Sequence, residues 1–444
     1  MGWNGGDCYV MANYLTFSSP SSFTLTTNNS TKNWDGMLEY STDKSTWIIW
    51  GGTTALSASG GKLYLRGTGN TKITGGLSNK RWVLTGSNIT CEGNIENLLD
   101  YTTVANGGHP TMSNYCYCHM FNGCTSLISA PTLPATALAT KCYGDMFYNC
   151  TSLTSAPELP ATKLADYCYA DMFMGCTSLM SAPALPATNA PTYCYYNMFY
   201  GCTSLTSTPE LPATTIATYC YSGMFSGCTS LTSAPELPAT KLADYCYYNM
   251  FYNCTSLTST PELPATALAS YCYSDMFRGC TSLTSVPELP ATTLPQHCYS
   301  NMFSYCTNIK MSATQTAEYK TAYRIPSVGN GTAQSYSLSA MFYPTGGSFS
   351  GTPVINTIYY ISNGETAIPT VITYNGNEIA ILEEGQSAIF PEGKKATGDV
   401  SIVFGSNGSI TYKGVTTEVE KGKTAHLLVS GKKFATDVVI NTKR

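Results

Sequence analysis

The sequence predicts a mainly β protein with short helical segments, in which a solenoid of eight coils is flanked by an N-terminal β-sandwich and two small C-terminal β modules. The first observation is a 26-residue phrase that occurs eight times between Cys116 and Cys306. A unit of this length cannot bury its own apolar face, so the copies must stack on one another. The second is composition, because 43% hydrophobic and only 11% charged residues favour an ordered chain. The third is length: 444 residues exceed the size of one compact core.

Before the repeats, residues 15–86 are predicted to form the β-sandwich. Short segments of alternating hydrophobicity separated by glycine pairs favour strands, and here they are residues 15–17, 23–25, 37–41, 46–50 and 62–67. Residues 1–14 are rich in glycine and carry one charged side chain, Asp7. Such a segment is poorly suited to folding alone, so we expect it to anchor the chain to a partner.

The solenoid is assigned to residues 87–312, with residues 87–101 as the cap of its first coil. Every copy contains a Cys-Tyr pair, Met-Phe four and five positions after that Cys, a second Cys, and Thr-Ser-Leu, which only the last copy replaces. We expect these residues to lie inside the coils. A short helical or 3₁₀ segment over YCYxxMF would place them on one side. The LTSxPELP segment is expected to be extended, briefly β and partly polyproline-like, because its prolines donate no hydrogen bonds.

Two further segments follow the repeats. Residues 313–365 are predicted to form a C-terminal cap and linker, in which AMFYPTGG (340–347) looks like a final, degenerate coil that closes the stack, as terminal repeats do. Residues 366–444 contain a separate repeat, because residues 372–403 align with residues 410–440 through Ile-Thr-Tyr-x-Gly and Gly-Lys-Lys. Each copy has about 38 residues of alternating pattern and is predicted to be a small β module.

The nineteen cysteines leave three interpretations open: buried reduced thiols, disulfide rungs between coils, and metal binding. The two cysteines of each copy stand eight residues apart, unlike the C-x2-C pairs of zinc sites. The N-terminal residues lack the basic and apolar regions of a secretion signal, and assembly in a reducing cytoplasm would keep the thiols reduced. A metal site is considered only at Cys116, Cys118, His119 and Cys124. The alternative is that Cys118 and His119 simply fill two variable positions.

The sequence predicts neither an enzyme nor a cofactor. Its four histidines form no HExxH pair, and neither a GxSxG elbow nor a Walker loop is present. A net charge of -4 gives no electrostatic reason to bind nucleic acid, and no apolar run reaches the length of a membrane span. The Glu of PELP is expected to form either a solvated acidic stripe or a cation site, and it occurs at Glu158, Glu210, Glu236, Glu262 and Glu288.

The positions that vary between copies are predicted to point outward. Two follow the Cys-Tyr pair and two follow Met-Phe, and they are often Tyr, Asn or Asp. Aromatic rings can stack on sugars while amides bind hydroxyls, so these positions suit carbohydrate binding. The alternative is a merely solvated surface. The predicted binding residues are Tyr148, Tyr196, Tyr200, Tyr248, Tyr252 and Asn249.

The repeat resembles a known family. CTSLTS followed by a proline-ended strand is similar to the BspA-type leucine-rich repeat of bacterial surface proteins, over about residues 110 to 310. This version is longer than usual, because YCYxxMFxxC stands where AFxxC is common. The resemblance implies a leucine-rich-repeat-type solenoid.

The two ends of the chain resemble a second group. The ITYNG…GKK…TDVVI pattern is similar to C-terminal modules of structural and fibre proteins in phages of gut Bacteroidetes, and YSTDxxTW…LYLRG resembles a domain found with them. The resemblance implies a non-enzymatic virion protein, either a head or tail fibre or a decoration, that is assembled in the bacterial cytoplasm and oligomeric within the virion. Its partners would be other virion proteins and a glycan or protein of the host surface. The alternatives are a BspA-like adhesin on the bacterial cell surface and an enzyme with a repeat appendage.

Overall fold

The computed structural model describes residues 14–28, 32–58, 61–76 and 80–362, together with eight strands between residues 370 and 442. The chain divides into two compact units, Met1–Asn363 and Gly364–Arg444, which are described separately. All but the last residue of the predicted anchor segment 1–14 lies outside the described residues.

Among the described residues before the solenoid, eight strands form two sheets around one core. They are β1 (Leu15–Ser18), β2 (Phe23–Thr27), β3 (Met37–Ser41), β4 (Ile48–Ile49), β5 (Leu56–Ala58), β6 (Lys62–Thr68), β7 (Trp82–Thr85) and β8 (Ile89–Glu92). The smaller sheet has the order β5-β2-β7. The ring of Trp82 in this sheet lies 6.3 Å from that of Phe17 in β1 of the larger sheet, so the two sheets pack face to face as a sandwich.

The larger sheet continues into the solenoid. After β8 come the helix α1 (Asn97–Ala105) and then β9 (Leu127–Ser129), which belongs to the first coil. The sheet has the order β4-β3-β6-β1-β8-β9, and β8 pairs in parallel with β9. The Tyr117 hydroxyl of the first coil donates a hydrogen bond to the Ile95 carbonyl oxygen at 3.2 Å. Residues 87–101 therefore cover the first coil, β8 by pairing with β9 and Ile95 by accepting this hydrogen bond.

The inside of each coil contains most of the residues that recur in the sequence. In the copy that begins at Cys220, both cysteines, the following Tyr, Met-Phe and the Leu of CTSL are at most 1% exposed. The Leu and Ala of PELPA are buried as well. The expectation was wrong for the Thr and Ser of CTSL, which are exposed or half-buried in all copies. Thr203 donates its N–H to the Gly201 carbonyl oxygen, so small polar residues recur here because they form a turn.

The predicted helical or 3₁₀ segment over YCYxxMF is a run of turns instead. Alternate N–H groups donate to the next coil, as from Tyr221 to the Cys246 carbonyl oxygen at 3.0 Å. The N–H groups between them donate three residues back, as from Met224 to the Tyr221 carbonyl oxygen at 3.2 Å. A helix would use every N–H within its own coil. Half of these donors are required by the neighbouring coil, so no helix forms.

The opposite side of the coils is extended and only briefly β. The strands β10 (Asn189–Ala190) and β11 (Thr215–Ile216) pair in parallel, and β12 (Thr293–Leu294) pairs with β15 (Thr332–Ala333). Elsewhere single bridges join neighbouring coils, such as Lys241 to Ala267. Prolines on either side of these positions cannot donate to a ladder, which is why the pairing is short.

The stack ends in a ninth, degenerate coil. Met341 and Phe342 are fully buried, and the ring of Phe342 stacks on that of Phe303 at 5.4 Å. A four-stranded sheet of order β14-β17-β13-β16 covers this end. Its strands are β13 (Lys310–Ser312), β14 (Thr321–Arg324), β16 (Gly346–Gly347) and β17 (Ile358–Ser362).

In the second unit the two C-terminal repeats exchange a strand, so they are not two separate modules. The first repeat contributes β18 (Thr370–Tyr374), β19 (Asn377–Leu382), β20 (Ser387–Phe390) and β21 (Val400–Val403). The second contributes β22 (Gly408–Tyr412), β23 (Val415–Val419), β24 (Thr424–Leu427) and β25 (Val438–Thr442). One sheet has the order β19-β18-β21-β24 and the other β20-β25-β22-β23. The third strand of each repeat thus pairs with the fourth strand of the other.

Candidate functional site

A column of stacked aromatic rings runs along the outside of the coils. It is formed by the residue that precedes the first Cys in the third to eighth copies, and by Tyr336 of the degenerate coil, which precedes Ser337. Neighbouring ring centroids lie 4.4 to 5.2 Å apart, and the ring planes differ by 6 to 14°. We call this the tyrosine column, and its members are Tyr167, Tyr193, Tyr219, Tyr245, Tyr271, His297 and Tyr336.

The backbone positions these rings. Tyr219 has a φ of 56°, and its N–H donates to the Asp244 carbonyl oxygen of the next coil at 3.2 Å. Tyr245 has a φ of 57° and donates in the same way to Ser270. Identical backbone geometry in successive coils places the rings one coil apart and parallel. Because each ring covers the face of the next, the solvent meets mainly ring edges and phenol groups.

Three central tyrosines of the column, Tyr193, Tyr219 and Tyr245, are uncharged at neutral pH. Partial burial, followed by the neighbouring phenols Tyr245 and Tyr193, raises the pKa of Tyr219 to about 12. Burial also raises the pKa values of Tyr193 and Tyr245. At neutral pH these hydroxyls therefore act as hydrogen-bond donors and acceptors, not as anions.

Two of the six predicted binding residues join this column. The ring of Tyr196 lies edge-on to Tyr193 at 5.3 Å and to Tyr219 at 6.5 Å. Tyr248 lies edge-on to Tyr245 at 5.7 Å. Together with the column they form a broader surface, which we call the tyrosine face.

The other predicted residues lie elsewhere. Tyr148, Tyr200 and Tyr252 follow Met-Phe, and within the described residues no ring contact links them to the column. Tyr200 is 40% exposed, and the Arg278 guanidinium lies 5.8 Å from the ring of Tyr252. Asn249 has a φ of 55°, and its role is to form one of the turns, since Asn tolerates this conformation. The structure therefore divides the predicted residues into two rows and a turn position.

The sequence reasoning missed the tyrosine column itself. Both tyrosines of the YCY motif recur, and the interpretation placed only the second one. In the structure the second is buried and stacks inside the coils, as Tyr221 does on Tyr247 at 5.7 Å. The first is the outward ring. The recurrence of Tyr on both sides of a buried Cys is the signal that could have found it.

A charged cluster lies where the first three coils meet. Lys141 Nζ and His119 Nδ1 are 3.2 and 3.7 Å from Asp145 Oδ2. Burial, with a further contribution from Asp145, raises the pKa of Asp171 to about 6, while Asn197 Nδ2 donates to Asp171 Oδ1 at 3.2 Å. Burial also lowers the pKa of His119. The tyrosine column begins after this cluster, because Lys141 stands where the second copy would otherwise carry a ring.

The cysteines of the coils are free and buried, as are all eighteen that the structure describes. From Cys150 onward, the second thiol of each coil donates a hydrogen bond to a Phe carbonyl oxygen of the preceding coil, at 3.0 to 3.1 Å. Burial raises the pKa of Cys228 well above its usual value. Of the group considered for metal binding, Cys116 and Cys124 belong to this core, whereas Cys118 and His119 lie beside Asp145.

The PELP segments form a further surface feature. All five Glu side chains are exposed, and open grooves separate the PELP segments of neighbouring coils. One such groove is lined by Pro209, Glu210, Leu211, Pro235 and Glu236, among others. No helix in the part of the chain that the structure describes has the length and apolar character that a bilayer crossing needs.

The comparisons with known proteins agree with the repeat. Three overlapping stretches, residues 109–224, 146–261 and 192–320, match the family model of the BspA type leucine rich repeat region. No curated protein and no solved structure matches the chain. Repeat regions of this family are usually non-catalytic and typically serve binding at surfaces. Residues 109–320 of this chain are therefore a BspA-type leucine-rich repeat region.

Proposed function

We propose that this chain is a non-enzymatic adhesion protein that binds a glycan of the host surface through the tyrosine face. The observation that carries the proposal is the continuous aromatic column. Seven stacked rings on one outer line are far more ordered than solvation requires. Tyr is well suited to such a surface, because its ring is apolar and its hydroxyl forms hydrogen bonds.

The spacing supports a linear ligand. Successive rings are 4.4 to 4.6 Å apart from Tyr167 to His297, which is close to the length of one sugar ring. A sugar chain lying along the solenoid would meet one phenol group per residue. The column is also rigid, since both neighbouring rings and the coil-to-coil backbone bonds hold each Tyr in place, so little entropy is lost on binding.

We also propose that the protein is a virion component of a phage, a head or tail fibre or a decoration, in which it is assembled in the bacterial cytoplasm beside other virion proteins and as an oligomer. The support is the resemblance of both ends of the chain to phage structural modules. Residues 1–14 would anchor it to the virion, and the tyrosine face would meet the host. A BspA-like adhesin of the bacterial cell surface is the second candidate, supported by the repeat family.

Two residue types that other copies carry in place of this tyrosine provide the binding test. Lys141 and His297 occupy the column position in their own copies, so both residue types are compatible with its backbone. Changing Tyr193, Tyr219 and Tyr245 together to Lys removes the rings, and changing them to His keeps rings but removes the phenols. We expect the Lys variant to reduce adsorption of the purified protein to host cells at least about tenfold, a cost near 1.4 kcal/mol. The matched control replaces exposed Thr206, Thr232 and Thr258 with Lys.

The outcome discriminates between the interpretations. Loss of binding in both the Lys and His variants indicates that the phenols bind, and loss in the Lys variant alone indicates that ring edges suffice. Undiminished adsorption of both variants would indicate that the tyrosine face is only a solvated surface. Location is tested separately, by mass spectrometry of purified virions and of washed cell envelopes. Recovery of the chain only with envelopes would favour the bacterial adhesin.

A further inference from the structure

Three different metal-binding side chains meet between the first two coils. The ligand atoms of Cys118, His119 and Asp145 all lie within 4.8 Å of one another. Cys118 is fully buried, and the side chains of His119 and Asp145 are each 13% exposed. Cys-His occupies the two positions after the Cys-Tyr pair only in the first copy. Asp145 stands at the His119 position of the second copy, so stacking of the coils brings the three together.

One carboxylate oxygen of this group is buried and already has a cationic neighbour. Asp145 Oδ2 lies 3.2 Å from Lys141 Nζ, with which it pairs, and 3.7 Å from His119 Nδ1. Apart from this ion pair, no described residue donates a hydrogen bond to it. A buried carboxylate needs a compensating positive charge, and a divalent ion held by the three ligand atoms could supply that charge in place of the ammonium group.

The donor set is that of a zinc-type ion. Thiolate, imidazole and carboxylate are all zinc ligands, and softer sulfur and nitrogen ligands favour transition metals over calcium or magnesium. The Cys118 thiol loses its proton to solvent when the metal binds, so thiolate and carboxylate together neutralise a divalent ion. Water could supply a fourth ligand, because His119 and Asp145 reach the surface.

The charged residues around these three ligands can rearrange to accommodate a bound metal ion. Lys141 now faces Asp145, and a metal at Asp145 would displace its ammonium group. Asp171 of the third coil also interacts favourably with Lys141, so Lys141 can turn to that carboxylate. The loaded cluster then contains two anionic ligands balanced by the ion and a Lys–Asp pair.

From this juxtaposition we propose that Cys118, His119 and Asp145 bind one divalent zinc-type ion between the first and second coils. The ion links the coil next to the N-terminal sheet to the one that follows, and so stabilises the start of the stack.

Cobalt is the probe, because a thiolate bound to Co²⁺ gives a charge-transfer absorption that imidazole and carboxylate do not give. The full chain is stripped with a chelator, reduced, dialysed and titrated with Co²⁺, in a Cys8→Ser background that removes the one cysteine outside the described residues. We expect one equivalent to bind with the thiolate band, and Zn²⁺ to displace it. Zn²⁺ should also raise the melting temperature.

The variants use residues that other copies carry at the same positions. Cys118→Ser introduces the residue type that the fifth copy carries at the equivalent position, Ser222. Asp145→Asn and His119→Asn introduce the type that the fourth copy carries at theirs, Asn197. Cys118→Ser should abolish the band, and each Asn variant should weaken Co²⁺ binding at least about tenfold. The control, Asp275→Asn, makes the same change five coils away from Asp145 and should leave binding unchanged.

Three results would overturn the proposal. They are the absence of a thiolate band in the parent chain, a band that persists in Cys118→Ser, and Asn variants that bind like the parent. If Cys118→Ser does not fold, the two Asn variants still test the proposal. We expect them to fold, because they change half-buried side chains at turn positions that favour Asn. None of these results depends on glycan binding, so the two proposals can fail separately.

Discussion

The thiol of Cys228 donates a hydrogen bond to the carbonyl oxygen of Phe199, 3.1 Å away in the preceding coil. The same carbonyl accepts the N–H of Cys202 at 3.1 Å. The second Cys of a coil is thus a small apolar side chain that also provides one hydrogen-bond donor across the coil boundary. Its recurrence reflects this structural role and involves no disulfide.

This bond predicts different costs for two buried cysteines of one coil. Cys220→Ala and Cys228→Ala remove the same atoms from fully buried positions, but only Cys228 donates such a bond. We expect Cys228→Ala to lower the free energy of unfolding by about 0.5–1.5 kcal/mol more than Cys220→Ala. Urea denaturation of both variants measures the difference. Equal losses would show that the thiol contributes only packing.

The buried thiols should be unreactive until the protein unfolds. We expect a thiol reagent under non-reducing conditions to modify few groups in the native protein and at least the sixteen coil cysteines in the denatured protein, because burial favours the uncharged thiol. Finding three or fewer reactive groups after denaturation would contradict both the free-thiol structure and assembly in a reducing compartment.

Phe225 tests the interior of the stack. Its ring lies between those of Phe199 and Phe251, at 5.7 and 5.6 Å. Phe225→Ala should cost about 3–5 kcal/mol, measured by denaturant unfolding, while Thr232→Ala on the exposed side should cost little. A Phe225→Ala protein that melts within a degree or two of the parent would rule out this central packing.

Whole coils should be removable. Deleting residues 219–244 joins Thr218 to Tyr245 and keeps the 26-residue register, so every remaining coil finds an equivalent neighbour. We expect a folded protein with a slightly lower melting temperature in calorimetry. Deleting only residues 219–231 places core and surface positions opposite each other, and its melting temperature should fall much further. Equal effects would contradict nearest-neighbour coupling.

Asp171 should make stability depend on pH. Burial and Asp145 raise its folded-state pKa from 3.8 to about 6, against the opposing effects of Asn197 and Lys141. The folded protein therefore holds this proton more tightly, and stability falls as pH rises from about 4 to about 6. Asp171→Asn should remove this loss and be more stable at pH 7 by on the order of 2–3 kcal/mol, with little difference at pH 4.

Denaturant unfolding at several pH values, with a chelator present, measures this effect. Glu158→Gln, at an exposed position, is the control and should leave the pH profile unchanged. A variant that is equally stable or less stable at pH 7 would show that Asp171 is charged without cost in the folded protein.

The interior of the coils could be predicted because every coil meets the same packing requirement. Cys, Met, Phe and Leu recur where the chain must point inward, and the repeat displays this eight times. The turns could not be predicted from hydrophobicity. Tyr219 adopts a left-handed φ, and nothing in the sequence of a bulky residue type indicates that conformation. The Asn, Asp and Gly at the positions of Asn197, Asp171 and Gly223 are the available signal, because these types tolerate that conformation.

The candidate site was predictable in part for a related reason. The prediction that variable positions point outward holds for Tyr200 and is wrong for Ser222 and Ser226, which are buried. Tyr196 and Tyr248 become candidates for the site only because their rings contact the column. Periodicity alone does not distinguish the two tyrosines that flank a buried Cys. Only the direction in which the backbone turns places Tyr193 outside and Tyr195 inside.

The strand exchange in the second unit has a consequence for biosynthesis. Strand β20 at residues 387–390 has its partner, β25, at residues 438–442, so it emerges from the ribosome long before that partner exists. Coils of the solenoid can join the stack one at a time as they are made, because each contacts only its neighbours. The second unit has no such order, since its two sheets close only after β25 has been released. Strands β18 to β24 therefore wait for residues 438–442 before the unit can fold.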